Sequence, residues 1–279
     1  MNKQIIFLNR TNEHNTGDML SSVYYYLHND FIGKGIEMIW LDIEKHDPTD
    51  RTLEDKRYNP RNRAVIVGGG GLLNLCHPWS QRLVTALDHA TTAILGTGGN
   101  DMGLNDPVRP PFYRAVILGR RDFPLDSPLW CPCFSVLADA DFSPRDIEHE
   151  IGLGARFDQP VPEGVSTDGS YTQSNYPYQD IIDYLMRCRF VVSNSYHLLY
   201  WAALLGKPTA VYPSINSSKW DTCPWVEGQL SGLESRQPCF RYPCGRLPGT
   251  LPAAGTGLPA ADAGVPAENL AARLGLAQK

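Results

Sequence analysis

His197 stands where a short apolar run, Phe190 to Val192, passes through Ser193, Asn194 and Ser195 into an apolar segment from Tyr196 to Leu205. An imidazole gives and takes a proton near neutral pH. Just past a strand and in the first turn of a helix it lies where open α/β sheets bind ligands, because helix N-terminal amides point there and favour anions. Asn194 and Ser195 add small polar groups at the same corner. The alternative is a histidine satisfied by a neighbouring carbonyl. Arg121, followed by Asp122, ends another apolar run, Ala115 to Leu118. Its guanidinium fork suits a carboxylate or phosphate, or else forms a surface ion pair. Lys219 is a third cation, placed to meet a phosphate or to be solvated.

Glycines supply a second kind of chemistry. Gly68, Gly69, Gly70 and Gly71 directly follow the run Ala64 to Val67. They permit positive φ and bring donor amides close to a ligand, although a tight strand-to-helix turn would use them equally. The pattern is not GxGxxG and lacks the Lys-Ser/Thr of a P-loop, so neither dinucleotide nor triphosphate binding follows. Asn15, Gly17 and Asp18, after the first apolar run, either turn amides toward an anion or cap a helix through Asp18.

The elements that must position these residues alternate. Strands are predicted at Ile5 to Leu8, Glu37 to Ile43, Ala64 to Val67, Thr92 to Leu95 and Ala115 to Leu118, with helices at Met19 to Leu27 and Trp79 to His89. Gly-, Asn- and Asp-rich loops follow the strands, which indicates a mostly parallel sheet flanked by helices. Residues Asp139 to Ser174 read as polar and irregular. A helix at Asp180 to Arg187 then leads into a strand–turn–helix–strand unit ending at Tyr212, with Gly206 and Pro208 closing its apolar helix. From about Leu230 the chain is rich in Ala, Gly and Pro without apolar periodicity, which predicts a loosely ordered tail.

At 279 residues, 42% hydrophobic and 20% charged, the chain can bury one large core or two small ones. No run approaches a transmembrane length. The start goes straight into Ile5 without a leader pattern, so a cytoplasmic location is expected. A net charge of -5 and a pI near 5.8 argue against nucleic acid as the main partner. Seven cysteines, irregularly spaced, form no disulfide framework. Neither Cys131/Cys133 nor Cys239/Cys244 has the usual zinc spacing, so no metal is expected, and the thiols read as buried and reduced.

The stretch Ser195, Tyr196, His197, Tyr200, Trp201, Leu204, Leu205, Gly206 and Lys207 resembles a segment of the polysaccharide pyruvyl transferase family, in the branch carrying Ser-Tyr-His. Similar family motifs follow in order: Asn15-x-Gly17-Asp18, the Gly-Gly-Gly-x-Leu turn containing Gly69 to Gly71, Arg121-Asp122, then Pro132, Cys133 and Ser135, and the pair Ser218-Lys219. Together they span about residues 1 to 228. The chain departs from the pattern at Leu198, where glycine is usual and a side chain would crowd a ligand approaching the backbone. It also carries Ser195 where another branch has arginine.

The resemblance implies an α/β fold of two Rossmann-like domains facing a cleft, GT-B-like: residues 1–125, residues 126–229, then the tail 230–279. It implies transfer of a pyruvyl group from phosphoenolpyruvate to two hydroxyls of one sugar in a cell-surface or exopolysaccharide precursor, giving a cyclic ketal, with no cofactor or metal. His197 and Arg121 would be catalytic. Asn15, Gly17, Asp18, Gly69, Gly70, Gly71, Asn194, Ser195 and Lys219 would bind substrate. A lipid-linked oligosaccharide acceptor would bring peripheral association with the inner membrane face. Two rival readings stand beside it: a GT-B-like glycosyltransferase using a nucleotide sugar, and an inactive relative serving as a binding partner.

Overall fold

The computed structural model describes residues 3–11, 14–45, 52, 60–73, 79–99, 111–121, 131–158 and 171–211. The expected boundary at 125/126, Asp122, Lys219 and the tail 230–279 lie outside the described residues. The described chain forms two compact units, one within 3–11 and 18–137, the other within 14–17 and 138–211. Each is an α/β unit built on a parallel sheet. No helix among the described residues is long and apolar enough to cross a membrane.

The first unit holds five parallel strands: β1 (Lys3–Asn9), β2 (Ile36–Asp42), β3 (Arg63–Gly68), β4 (Thr91–Thr97) and β5 (Ile117–Arg120), in the order β2-β1-β3-β4-β5. The five apolar runs are therefore neighbours in one sheet. Alternate side chains separate into two cores, as the two-residue strand period requires. Ile5, Phe7, Ala64, Ile66, Ala93 and Leu95 pack on one face with Val23 and Phe31. Ile6, Leu8, Val65, Val67 and Ile94 pack on the other with Trp79, Leu83 and Ala86. Burial on both faces explains why these strands read as continuous apolar runs. Each fully buried Leu or Ile contributes about 1.5–3 kcal/mol.

Two expectations shift here. The helix predicted from Met19 to Leu27 is broken into α1 (Thr16–Leu20) and α2 (Val23–Leu27). Ser21 lies in the break and its hydroxyl donates to the Asp18 carbonyl at 2.8 Å, the local competition for backbone acceptors by which serine disturbs helices. The fifth strand starts at Ile117 rather than Ala115, because the Ala115 amide closes a turn on Phe112 O at 3.0 Å. The third helix, α3 (Ser80–His89), lies as expected.

The second unit holds β6 (His149–Ala155), β7 (Tyr171–Gln173), β8 (Cys188–Ser193) and β9 (Thr209–Val211), all parallel, in the order β7-β6-β8-β9. Helices α4 (Tyr178–Arg187) and α5 (Tyr196–Leu204) accompany them. The irregular segment expected at 139–174 is thus corrected: it contains two strands. Gly152 and Gly154 hid β6, since glycine weakens a strand signal, yet here it marks close approach. A Cβ on Gly152 would lie 2.2 Å from Cys188 Sγ, and one on Gly154 would lie 2.8 Å from Leu198 Cδ1. The Tyr184 hydroxyl of α4 also bonds β6 directly, accepting from Leu153 N at 2.9 Å.

Helix α5 is buried from Tyr196 to Ala203, so it is apolar on every face. It ends as its sequence implies. Gly206 has φ 71°, with Gly206 N bonded to Ala203 O at 3.0 Å and Lys207 N to Ala202 O at 2.9 Å, the paired pattern of a Schellman terminus. Lys207 Nζ donates to Met186 O at 2.7 Å near the end of α4, where a cation complements the helix dipole. The Leu-Leu-Gly-Lys ending therefore stops α5 and ties it to α4.

Replacing Gly152 by alanine tests the close approach of Cys188, the first residue of β8, to β6. Its φ is not left-handed, so the cost is steric, about 1–3 kcal/mol for an overpacked site. Urea denaturation should show that loss, with part of it recovered when Cys188→Ala is added to the same chain. Additive effects of the two substitutions would refute the close contact.

Candidate functional site

In the second unit the turn from β8 into α5 is buried throughout. Ser195 is the N-cap, with extended backbone at φ -98° and ψ 124°, and its hydroxyl makes no capping bond. Its amide instead donates to Ser193 Oγ at 2.9 Å. Asn194 Oδ1 accepts from Arg156 N at 2.8 Å, which ties the end of β8 to the residue after β6. His197 follows in the first turn of α5, 4% exposed. Its ring lies between Tyr196, edge-on at 5.3 Å, and Trp201, tilted at 5.6 Å; Trp201 is four residues on and so shares its helix face.

The loop after β1 reaches this histidine. A Cβ built on Gly17 would lie 2.1 Å from His197 Nδ1 and 2.2 Å from Cγ, so the imidazole occupies the space beside a bare glycine. Thr16 anchors the loop: its amide donates to Ser174 O at 3.0 Å and its hydroxyl to Tyr176 O at 2.7 Å. Asn15, Gly17, Asn194, Ser195 and His197 thus belong to one unit. Leu198, next in the helix, is fully buried and its Cδ1 packs against Gly154.

Asp18, Gly69, Gly70, Gly71 and Arg121 belong to the first unit. Gly69 and Gly70 have φ 81° and 63°, the left-handed region that glycine enters freely. The Gly69 surface is covered: a Cβ there would lie 2.3 Å from Ser21 O. Gly70 faces the Asp18 carboxylate, with Oδ1 3.3 Å from the same ideal position. The Gly70 carbonyl accepts from Gly98 N at 3.0 Å, and Leu73 N donates to Gly98 O at 3.1 Å, so the turn is laced to the loop after β4. Asp18 sits within α1 rather than at its cap, and its Oδ2 pairs with Arg10 Nη1 at 2.9 Å. Arg10 also meets Glu44 Oε1 at 2.7 Å and lies over the Trp79 ring at 5.5 Å.

Arg121 follows β5 directly, its amide bonded to Thr97 O at 3.2 Å, and the residue is 3% exposed. Its guanidinium lies beside the Cys133 thiol, which also contacts Ser135 Oγ at 3.2 Å. Burial pushes this thiol above its ordinary range; the Arg121 charge and the Ser135 bond pull it down without cancelling the rise. Within the pattern Pro132-Cys133-x-Ser135, Cys133 therefore meets Arg121 and is itself held by Ser135. Among the described residues no group of three or more His, Cys, Asp or Glu could hold a metal ion.

Sequence reasoning missed Thr16, Arg10 and Arg156. Thr16 and Arg156 act through backbone amides or toward carbonyls, partners that leave no residue-type signal. Arg10 is a lone cation in a polar loop, and its contact with Trp79 spans two elements.

Cys131, 6% exposed, is free and raised to about 11 by burial, which outweighs a bond from the Gly96 backbone. Below the ordinary thiol value of 9.0, folded and unfolded chains both keep the proton and stability is unaffected. As pH rises from 9 toward about 11 only the unfolded chain ionises, so stability falls, by up to about 3 kcal/mol. Unfolding free energies across that window should fall more steeply for the native chain than for Cys131→Ala; equal slopes would refute it. No family model and no curated protein sequence matches the chain.

Proposed function

We propose that this chain is a polysaccharide pyruvyl transferase, using phosphoenolpyruvate to place a cyclic pyruvate ketal on a sugar of a polysaccharide precursor. The observation that carries the reading is His197, set in the first turn of α5 past the end of a parallel strand, its ring seated on Gly17. With it go the two Rossmann-like domains in GT-B-like arrangement, a cytoplasmic location and a lipid-linked or free saccharide acceptor.

The reaction needs a proton on the methylene carbon of the enol, which makes the neighbouring carbon electrophilic. One sugar hydroxyl adds there, phosphate leaves, and a second hydroxyl of the same sugar closes the ketal. Two hydroxyl protons are released: one balances the new methyl group, the other leaves with phosphate. His197 serves as the group that relays protons. Arg121 serves as a fixed cation for the donor's carboxylate or phosphate, stabilising charge that water would otherwise solvate. Lys219, outside the described residues, is proposed as a second anion contact.

Phosphate release from phosphoenolpyruvate with a panel of sugar acceptors tests this. His197→Asn should keep the fold and lower kcat by about 10²–10⁴-fold, the range for loss of a general acid or base. Arg121→Lys should instead raise KM, since lysine cannot reproduce a bidentate fork. A folded His197→Asn protein with near-native turnover would sink the mechanism.

A further inference from the structure

We infer that Thr16 and Gly17 are positioning residues that hold the His197 imidazole in one orientation. The inference rests on the proton-relay reading of His197, but its geometry stands apart from the reaction. A ring on a helix turns about two side-chain torsions, and proton transfer requires that freedom to be removed. Gly17 removes it on one side. The contact of 2.1 Å that a Cβ would make with Nδ1 is far inside van der Waals range, so the ring rests against backbone.

The glycine is required by this approach and not by its backbone conformation, because Gly17 is absent from the positive-φ glycines. Alanine at 17 is thus acceptable to the chain, and favourable within helix α1. Its methyl group must displace the imidazole. Thr16 holds Gly17 in place. Its amide and hydroxyl grip the carbonyls of Ser174 and Tyr176, and Ser174 N is itself bonded to Ala155 O at 3.0 Å at the end of β6. The scaffold thus runs from β6 through Ser174 and Thr16 to Gly17 and the ring. A valine at 16 keeps the shape and loses the hydroxyl donor; a serine keeps the donor.

The test uses the full chain labelled at histidine, with the His197 resonance assigned by its loss in His197→Asn. Gly17→Ala should move that resonance and lower kcat by about 10²-fold, the scale of a 1 Å misplacement of a catalytic group. Thr16→Val should act in the same direction by roughly fivefold, the scale of one hydrogen bond, and Thr16→Ser should restore native behaviour. A folded Gly17→Ala protein with unmoved resonance and native kcat overturns the inference. Should Gly17→Ala not fold, the Thr16 pair decides: equal behaviour of valine and serine overturns it. If the native chain releases no phosphate from phosphoenolpyruvate, the proposed reaction falls, while the His197 resonance in the variants still decides the positioning.

Discussion

An imidazole and a glycine backbone share the volume that one methyl group would need, and the geometry of the second unit's site depends on that contact. It sets His197 against the backbone of Gly17. The same device recurs in the sheets. Gly68 accepts the Val23 side chain 1.7 Å from where a Cβ would stand, and Gly152 accepts Cys188. At each such point a strand or loop is bare so that a neighbouring side chain can reach the backbone. Dispersion falls off steeply with separation, so these approaches gain contacts that a spaced pair would forfeit.

Much of the fold was legible because the central strands of the first unit, β1, β3 and β4, are buried on both faces. Ile5 to Leu8 and Ala64 to Val67 are unbroken apolar runs, and nothing but a covered parallel strand or a buried helix produces them; their length and the glycines behind them decide for strand. The end of α5 was equally plain from Gly206 and Pro208. Illegible were β6 and β7. In β6 the residues facing the helices are Gly152 and Gly154, chosen for what they lack, and Ile151 is 40% exposed. Apolar periodicity vanishes where packing is achieved by absence.

The candidate site divides along the same line. The corner holding His197 could be read from a strand, three small polar residues and an apolar helix in direct succession. Gly17 was a candidate through Asn15-x-Gly17-Asp18, but its pairing with His197 could not be read, because the two are far apart in the chain and glycine carries no side-chain signal. Asn194 was legible as a polar residue at a strand end. Its oxygen is engaged with the Arg156 amide, a use that depends on where β6 ends, and β6 itself was not visible. Leu198 shows the converse: its departure from the motif was legible, its packing on Gly154 was not.

The electrostatics of the first unit follow from burial of a neutral group beside a charged one. Arg121 keeps its proton under all ordinary conditions. A thiolate at Cys133 would oppose that charge at close range and weaken its hold on any other anion. Desolvation works against this, since the charged form of a fully buried thiol loses its hydration. The Arg121 charge and the Ser135 bond favour the thiolate, yet burial outweighs both and the thiol stays above its ordinary range. Cys133 therefore supports the guanidinium by packing and by a weak hydrogen bond, and as a protonated thiol it brings no charge of its own to the pair. Aspartate at the same place would form an ion pair with Arg121, whereas the protonated thiol offers it a small, polarisable contact without a charge.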